Sequence, residues 1–255
     1  MFDGLMKQLR SLRNPFAGEK MTISEGVKSF LVTHAAAPPI LLEQYRNLRE
    51  DFFALAAAKH IKATAITSSL PGDGKTFVSC NLALTLAASS GKKILLIDGD
   101  LRKPDIHTVF DLPRAPGLSD VISGQSDITE LIRKPAVENL YVVTSGSATA
   151  NAAELLRQPK MKEAIDSLKG MFDYIIIDTS PVLPVSDSRT IGSLCDAVIL
   201  VVKFDVTPKN AVDEAMGLLD NAHIKPAGFV LTNHQIPIYE FSKHRSYCES
   251  YATNA

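Results

Sequence analysis

Ser68-Ser69-Leu70-Pro71-Gly72-Asp73-Gly74-Lys75-Thr76 decides how this chain is read. An apolar, β-rich run, Ala63 to Thr67, precedes it, and a helical pattern from Phe77 to Ala88 follows. Strand, tight glycine turn and helix, in that order, make a phosphate-binding P-loop. Gly72 and Gly74 let the backbone curl so that successive N–H groups face inward. Those amides and the helix N-terminus present partial positive charge to a nucleotide's phosphates. Pro71, Gly72, Asp73, Gly74, Lys75, Thr76 and Phe77 are the candidate nucleotide-binding set. In it Lys75 reaches the β/γ-phosphates and the Thr76 hydroxyl ligates Mg²⁺. Ser69 stands where that pattern begins with glycine, and the competing reading is an ordinary glycine-rich turn ahead of a helix.

Outward from the loop, apolar runs alternate with helical stretches. Ile94–Ile97, Leu140–Val143, Tyr174–Ile177, Val198–Val202 and Phe229–Leu231 join Ala63–Thr67 as strand candidates. Phe77–Ser89, Ile128–Arg133, Ala152–Lys169 and Asn210–Ala222 are the helices expected between them. Near-continuous Val/Ile/Leu runs mean strands buried on both faces, hence a mostly parallel sheet. Right-handed crossovers then give an α/β, doubly wound, three-layer sandwich of the P-loop NTPase kind, with ligands at the carboxyl ends of the strands.

Two of those strands end in acids. Asp178 closes Tyr-Ile-Ile-Ile-Asp, the apolar-then-acid pattern of a Walker B strand, whose carboxylate holds Mg²⁺ directly or through water. Asp98, Asp100 and Arg102 follow the other, in Ile-Leu-Leu-Ile-Asp-Gly-Asp-Leu-Arg, and alternation in an extended segment sets all three on one side. Clustered carboxylates repel unless a cation offsets them, which favours Mg²⁺ over simple turn caps. The candidate metal set is therefore Thr76, Asp98, Asp100 and Asp178. Lys75, Asp98, Asp100 and Asp178 are the candidate catalytic residues, with Asp98 assisting deprotonation of an acceptor hydroxyl. Arg102 binds phosphate or pairs with a carboxylate.

Composition bounds the alternatives. The 255 residues are 45% hydrophobic and 22% charged, with a net charge of −1. That is enough chain for one large α/β domain, and it lacks the global basic field of a nucleic-acid binder. Cys80, Cys195 and Cys248 lack metal or redox spacing, which fits a reduced, cytoplasmic setting. No apolar run approaches the roughly 20 residues of a spanning helix, and the N-terminus lacks the apolar core of a secretory signal. A soluble, intracellular chain is expected.

Three parts follow from the pattern: a lead and linker over 1–38, an ATP-binding domain over 39–235, and a tail over 236–255. In the lead, Phe2, Leu5, Met6, Leu9, Leu12 and Phe16 recur at helical spacing beside Lys7, Arg10 and Arg13. A short basic amphipathic helix of this kind lies on an anionic membrane face, docks on a partner, or packs on its own domain. From about Leu41 to Lys59 a second helical pattern carries Glu43, Arg46 and Arg49 on one face. They either pair within the helix or meet a neighbouring subunit.

From about Ile40 to Asn233 the chain resembles the bacterial tyrosine kinases of capsule and exopolysaccharide export, the BY-kinases. Pro-Gly-Asp-Gly-Lys-Thr resembles their Walker A motif. Leu-Leu-Ile-Asp-Gly-Asp-Leu-Arg-Lys-Pro resembles their additional Walker A′, and Ile-Ile-Ile-Asp-Thr-Ser-Pro their Walker B. Asp187 falls where that family has an aspartate downstream of Walker B. The resemblance implies an ATP- and Mg²⁺-dependent protein-tyrosine autokinase on a MinD/ParA-like fold. It assigns Glu43, Arg46 and Arg49 to a Glu-x-x-Arg-x-x-Arg helix that builds a ring-shaped homo-oligomer, an octamer being one such ring. It makes Tyr239, Tyr247 and Tyr251 the phosphoryl acceptors, entering the active site of the adjacent subunit. It also implies a membrane-embedded polysaccharide co-polymerase as activator and a cognate tyrosine phosphatase, while the charge balance argues against a nucleic-acid partner and the basic lead favours recruitment from the cytoplasm to the inner membrane face. The chain departs from the family pattern at Thr179-Ser180-Pro181, where a double proline is common, and in its sparse tail tyrosines.

Three other readings stand beside this one. A MinD/ParA-type switch ATPase carries a second lysine where Leu70 stands. An ATP-binding regulatory module lacks transfer, and a metabolic kinase acts on a small hydroxylated substrate.

Overall fold

The computed structural model describes Leu31 and residues 39–233. The amphipathic lead and the tail with Tyr239, Tyr247 and Tyr251 lie outside the described residues. Helix α1 (Pro39–Lys59) leads into β1 (Ala63–Ser68), α2 (Lys75–Ser90), β2 (Ile94–Asp98), α3 (Ile106–Val109) and α4 (Leu118–Ile122). A 3₁₀ turn (Ile128–Leu131), β3 (Leu140–Val143), α5 (Ala152–Leu156) and α6 (Pro159–Lys169) follow. The chain closes with β4 (Tyr174–Asp178), α7 (Asp187–Gly192), β5 (Ala197–Lys203), α8 (Lys209–Asn221) and β6 (Gly228–Thr232). The strands form one six-stranded sheet in the order β3-β2-β4-β1-β5-β6, and every pairing is parallel.

The apolar runs explain the layers. In β1, β2 and β4 every residue is buried, so successive side chains feed opposite faces. Leu95, Ile97, Ile175, Ile177 and Leu200 join Leu118, Ile122, Ile165, Leu168 and Ile191 on one face. Ile94, Leu96, Ile176, Ile199 and Val201 join Phe52, Val78, Leu82 and Leu86 on the other. A helix such as α2, with Leu82, Leu84 and Leu86 all fully buried, is covered by the sheet, by α1 and by the turns around it. Truncating one such leucine to alanine typically costs about 2–5 kcal/mol. β6 is an edge strand, and its pattern changes accordingly: Phe229 and Leu231 are more than half exposed while Val230 packs inward.

Two expected helices differ. The stretch Ala152–Lys169 is two helices, because Gln158 is extended (φ −66°, ψ 145°) and Pro159 begins the second. A proline disfavours helical backbone in the residue before it and lacks the N–H that would continue the ladder. The stretch Ile128–Arg133 is a single 3₁₀ turn ending at Leu131. Asp127 caps it by accepting from the Thr129 N–H at 2.8 Å. Arg133 leaves the helical path for an antiparallel bridge with Val142, with N–H···O distances of 2.8 Å both ways. Among the described residues no helix is long and apolar enough to cross a membrane.

Candidate active site

The register of the sheet builds the site. Parallel pairing sets the last residue of β2, Asp98, directly beside the last residue of β4, Asp178. β1 lies on the other flank of β4, so the loop leaving β1 opens over the same end. Gly99 allows the close approach: its N–H donates to the Asp178 carbonyl at 2.8 Å. A Cβ at Gly99 would stand 2.8 Å from that oxygen and 2.9 Å from Ile191 Cδ1. The Asp-Gly-Asp spacing is thus a packing requirement, with glycine between the acids because backbone and α7 leave no room.

The loop adopts the conformation its glycines permit. Gly72 has φ 86° and Gly74 φ 98°, the left-handed region that side chains avoid. Gly74 caps α2 and its carbonyl accepts the Val78 N–H at 2.9 Å, the first turn of the helix ladder. A helix start leaves its leading amides without intrahelical acceptors, which is what an anion uses.

Around that turn the side chains converge. Thr76 Oγ1 donates to Asp178 Oδ2 at 2.7 Å, and Ser79 Oγ donates to Asp178 Oδ1 at 2.9 Å. Lys75 Nζ lies 3.1 Å from Asp100 Oδ2 and 3.9 Å from Asp178 Oδ2. The other Asp100 oxygen accepts from the Lys103 N–H at 3.0 Å. Asp98 is fully buried; its Oδ2 accepts from the Ile106 N–H at 3.2 Å, while its Oδ1 has no partner. Arg102 reaches Asp187 in a fork, Nε at 2.7 Å and a terminal nitrogen at 3.3 Å. Arg102 is thus paired with a carboxylate here.

Electrostatics follow from burial and crowding. Burial, and then the neighbouring Asp178, raise the Asp98 carboxyl well above its ordinary value. Asp178 is also raised, by burial, although Lys75, Thr76 and Ser79 oppose the shift. Burial alone would lower the Lys75 ammonium, but Asp178 and Asp100 outweigh it and raise it. One ammonium therefore serves three acids, a cluster short of positive charge.

The donor set fits a hard cation with phosphates. A hydroxyl and three carboxylates offer only oxygen, and the buried Asp98 Oδ1 is an acceptor in need of a partner. Among the described residues no three His, Cys, Asp or Glu side chains form a ready-made cage. Mg²⁺ keeps several waters and takes phosphate oxygens, so protein oxygens can hold it directly or through water.

Asp73 differs from the other loop residues. It is buried, and its carboxylate accepts from the Leu70 N–H at 2.9 Å and the Thr207 hydroxyl at 2.7 Å. It shapes the loop from beneath. Phe77 packs edge-on against Tyr45 of α1, ring centroids 6.0 Å apart. Sequence reasoning missed Ser79, Thr207 and Thr232. Ser79 was findable, because it follows Thr76 by one helical turn and shares its face. Thr207 and Thr232 lie 134 and 159 residues from the loop residue they touch, with no local pattern to mark them. On α1, Arg46 pairs with Glu43 at 3.1 Å and Arg49 with Glu50 at 2.6 Å, all near the surface.

Comparison with known proteins shows the family. An AAA domain model matches residues 61–223. The putative tyrosine-protein kinase CapB of Staphylococcus aureus is 35% identical over 231 residues, covering 91% of this chain and 98% of that one. The tyrosine-protein kinase YwqD of Bacillus subtilis (strain 168) is 35% identical over 205 residues, covering 80% of this chain and 84% of its own. The crystal structure of the chimerical protein CapA2B2 superposes with a TM-score of 0.74 at 31% identity, covering 81% of this chain and 91% of that chain. By its relatives and its fold, the chain belongs to the bacterial tyrosine-protein kinase family built on the P-loop NTPase fold.

Proposed function

We propose that this chain transfers the γ-phosphoryl group of ATP to tyrosine hydroxyls, its own tail residues Tyr239, Tyr247 and Tyr251 being the acceptors. The observation that carries the reading is the meeting of Lys75, Thr76 and three acids at the carboxyl ends of β1, β2 and β4. The loop amides and Lys75 hold the phosphates. Thr76, Asp178 and Asp100, with Asp98 beside them, are the residues that would hold Mg²⁺, which when bound would neutralise phosphate charge. Asp98 has one oxygen fixed by Ile106 and one unpartnered, so Oδ1 is the acceptor for the phenol proton. The new bond joins the tyrosine oxygen to the γ-phosphorus, the bond to the bridging β–γ oxygen breaks, and ADP leaves. A phenol with a pKa near ~10 surrenders its proton only as transfer develops, so alignment and charge neutralisation supply most of the rate. Arg102, held by Asp187, stands at the rim of the cluster.

Incubation with Mg²⁺ and ATP followed by mass spectrometry tests this. Phosphate on one or more of Tyr239, Tyr247 and Tyr251 is expected, and ATP hydrolysis with an unlabelled tail would favour a switch ATPase instead. Leu70, where switch ATPases carry a lysine, weighs against that alternative.

The Glu43, Arg46 and Arg49 face is the proposed ring contact, each helix exchanging its internal pair for a neighbour's charges. Such exposed pairs are worth only a few tenths of a kcal/mol within a helix, so the exchange costs little. Reversing Arg46 and Arg49 to glutamate should move the protein from a ring-sized species to monomer in light scattering. An unchanged mass sinks the ring contact. A membrane-embedded polysaccharide co-polymerase as activator, a tyrosine phosphatase as antagonist, and recruitment to the inner membrane face through the basic lead complete the proposal.

A further inference from the structure

Asp73 has the wrong sign for a phosphate ligand: a carboxylate in a cradle for anions repels what it should bind. Its contacts explain its presence. One carboxylate oxygen takes the Leu70 N–H at 2.9 Å and the other takes the Thr207 hydroxyl at 2.7 Å. Its backbone carbonyl takes the Thr232 hydroxyl at 2.6 Å. A Cβ on the next residue, Gly74, would lie 3.2 Å from Thr232 Cγ2, so Thr232 packs directly beneath the glycine.

Glycines flank Asp73 on both sides, and a glycine pair gives a turn its required shape at the cost of rigidity. A loop that must be ordered at binding loses affinity to that ordering. Here two hydroxyls, one just beyond β5 and one at the last residue of β6, hold the residue between the glycines. We propose that Thr207 and Thr232 are positioning residues for nucleotide binding, acting through Asp73 to keep the phosphate loop in its receiving shape. This rests on the ATP-site reading above and extends the site to the β5–α8 connection and the end of β6.

The test uses the full chain and titration with Mg²⁺ and a fluorescent ADP analogue. Thr232→Val keeps the shape and removes the hydroxyl. It should weaken binding about five- to tenfold, the worth of one well-formed hydrogen bond. Thr232→Ser, which restores the hydroxyl without the methyl, should bind within about twofold of the natural protein. Thr207→Val should lose a similar factor. In turnover the loss should fall on KM for ATP, with kcat nearly kept. Wild-type binding by Thr232→Val overturns the assignment. So does an equal loss in Thr232→Ser, which would make the methyl packing decisive. A fall in melting temperature that tracks the affinity loss across all variants would overturn it too. Tyrosine transfer is a separate readout: its absence from the natural protein overturns the kinase reading, whereas the two threonines are judged on binding constants alone.

Discussion

Lys75→Met should lower phosphotyrosine formation by about three orders of magnitude or more while the protein stays folded. The lysine is asked to do two things. With nucleotide it neutralises the phosphates as charge builds in the transition state, where removing one aligned donor costs about 10²–10³-fold and a missing cation more. In the protein alone it is the ammonium within salt-bridge reach of Asp100 and Asp178. Leaving two buried carboxylates uncompensated would cost about 3–5 kcal/mol if they stayed ionised. Asp178 need not: burial already pushes its carboxyl upward, so protonation absorbs part of the loss. Asp178 also keeps its bonds from Thr76 and Ser79. Circular dichroism should therefore match the natural protein while labelling from ATP disappears. A Lys75→Met protein that labels at the natural rate rejects the site.

Asp98→Asn should separate stability from activity in opposite directions. Removing a group that accepts the phenol proton should cut transfer by about 10²–10⁴-fold. Stability moves the other way because the Asp98 carboxyl is raised well above its unfolded value by burial and by Asp178. Below about pH 4 folded and unfolded chains both hold the proton, and the residue has no pH-linked effect. As pH rises, the unfolded chain releases the proton first, and stability falls until the folded value is passed. Asparagine has no proton to release and can still accept the Ile106 N–H. The variant should gain on the natural protein as pH climbs from about 4 towards neutrality. Melting curves in a chelating buffer without nucleotide would show the gap opening. A gap that is flat with pH, or that favours the natural protein at neutral pH, contradicts the assignment.

Much of the site was legible because its signals are short and local. A strand, two glycines, a lysine and a threonine within one stretch have few other folded solutions. Acids at the ends of fully apolar runs mark the carboxyl edge of a parallel sheet. What local pattern conveyed less well was where helices stop. Helical backbone stops at Leu156 and Leu131, ahead of a proline-restricted Gln158 in the first case and of the Arg133 bridge to Val142 in the second. Periodicity registers neither event.

By itself the sequence determined the doubly wound architecture, the phosphate loop and the identity of its acids, since each is written in contiguous residues whose chemistry and spacing need no distant partner. The tertiary structure alone decided how those residues are used. Parallel register put Asp98 beside Asp178 and left one oxygen without a partner. It turned Arg102 onto Asp187 and made Asp73 a brace tied to Thr207 and Thr232. The physical reason is range: a hydrogen bond acts over about 3 Å in space and is indifferent to separation along the chain. Its partners are known only once the sheet has brought distant strand ends together.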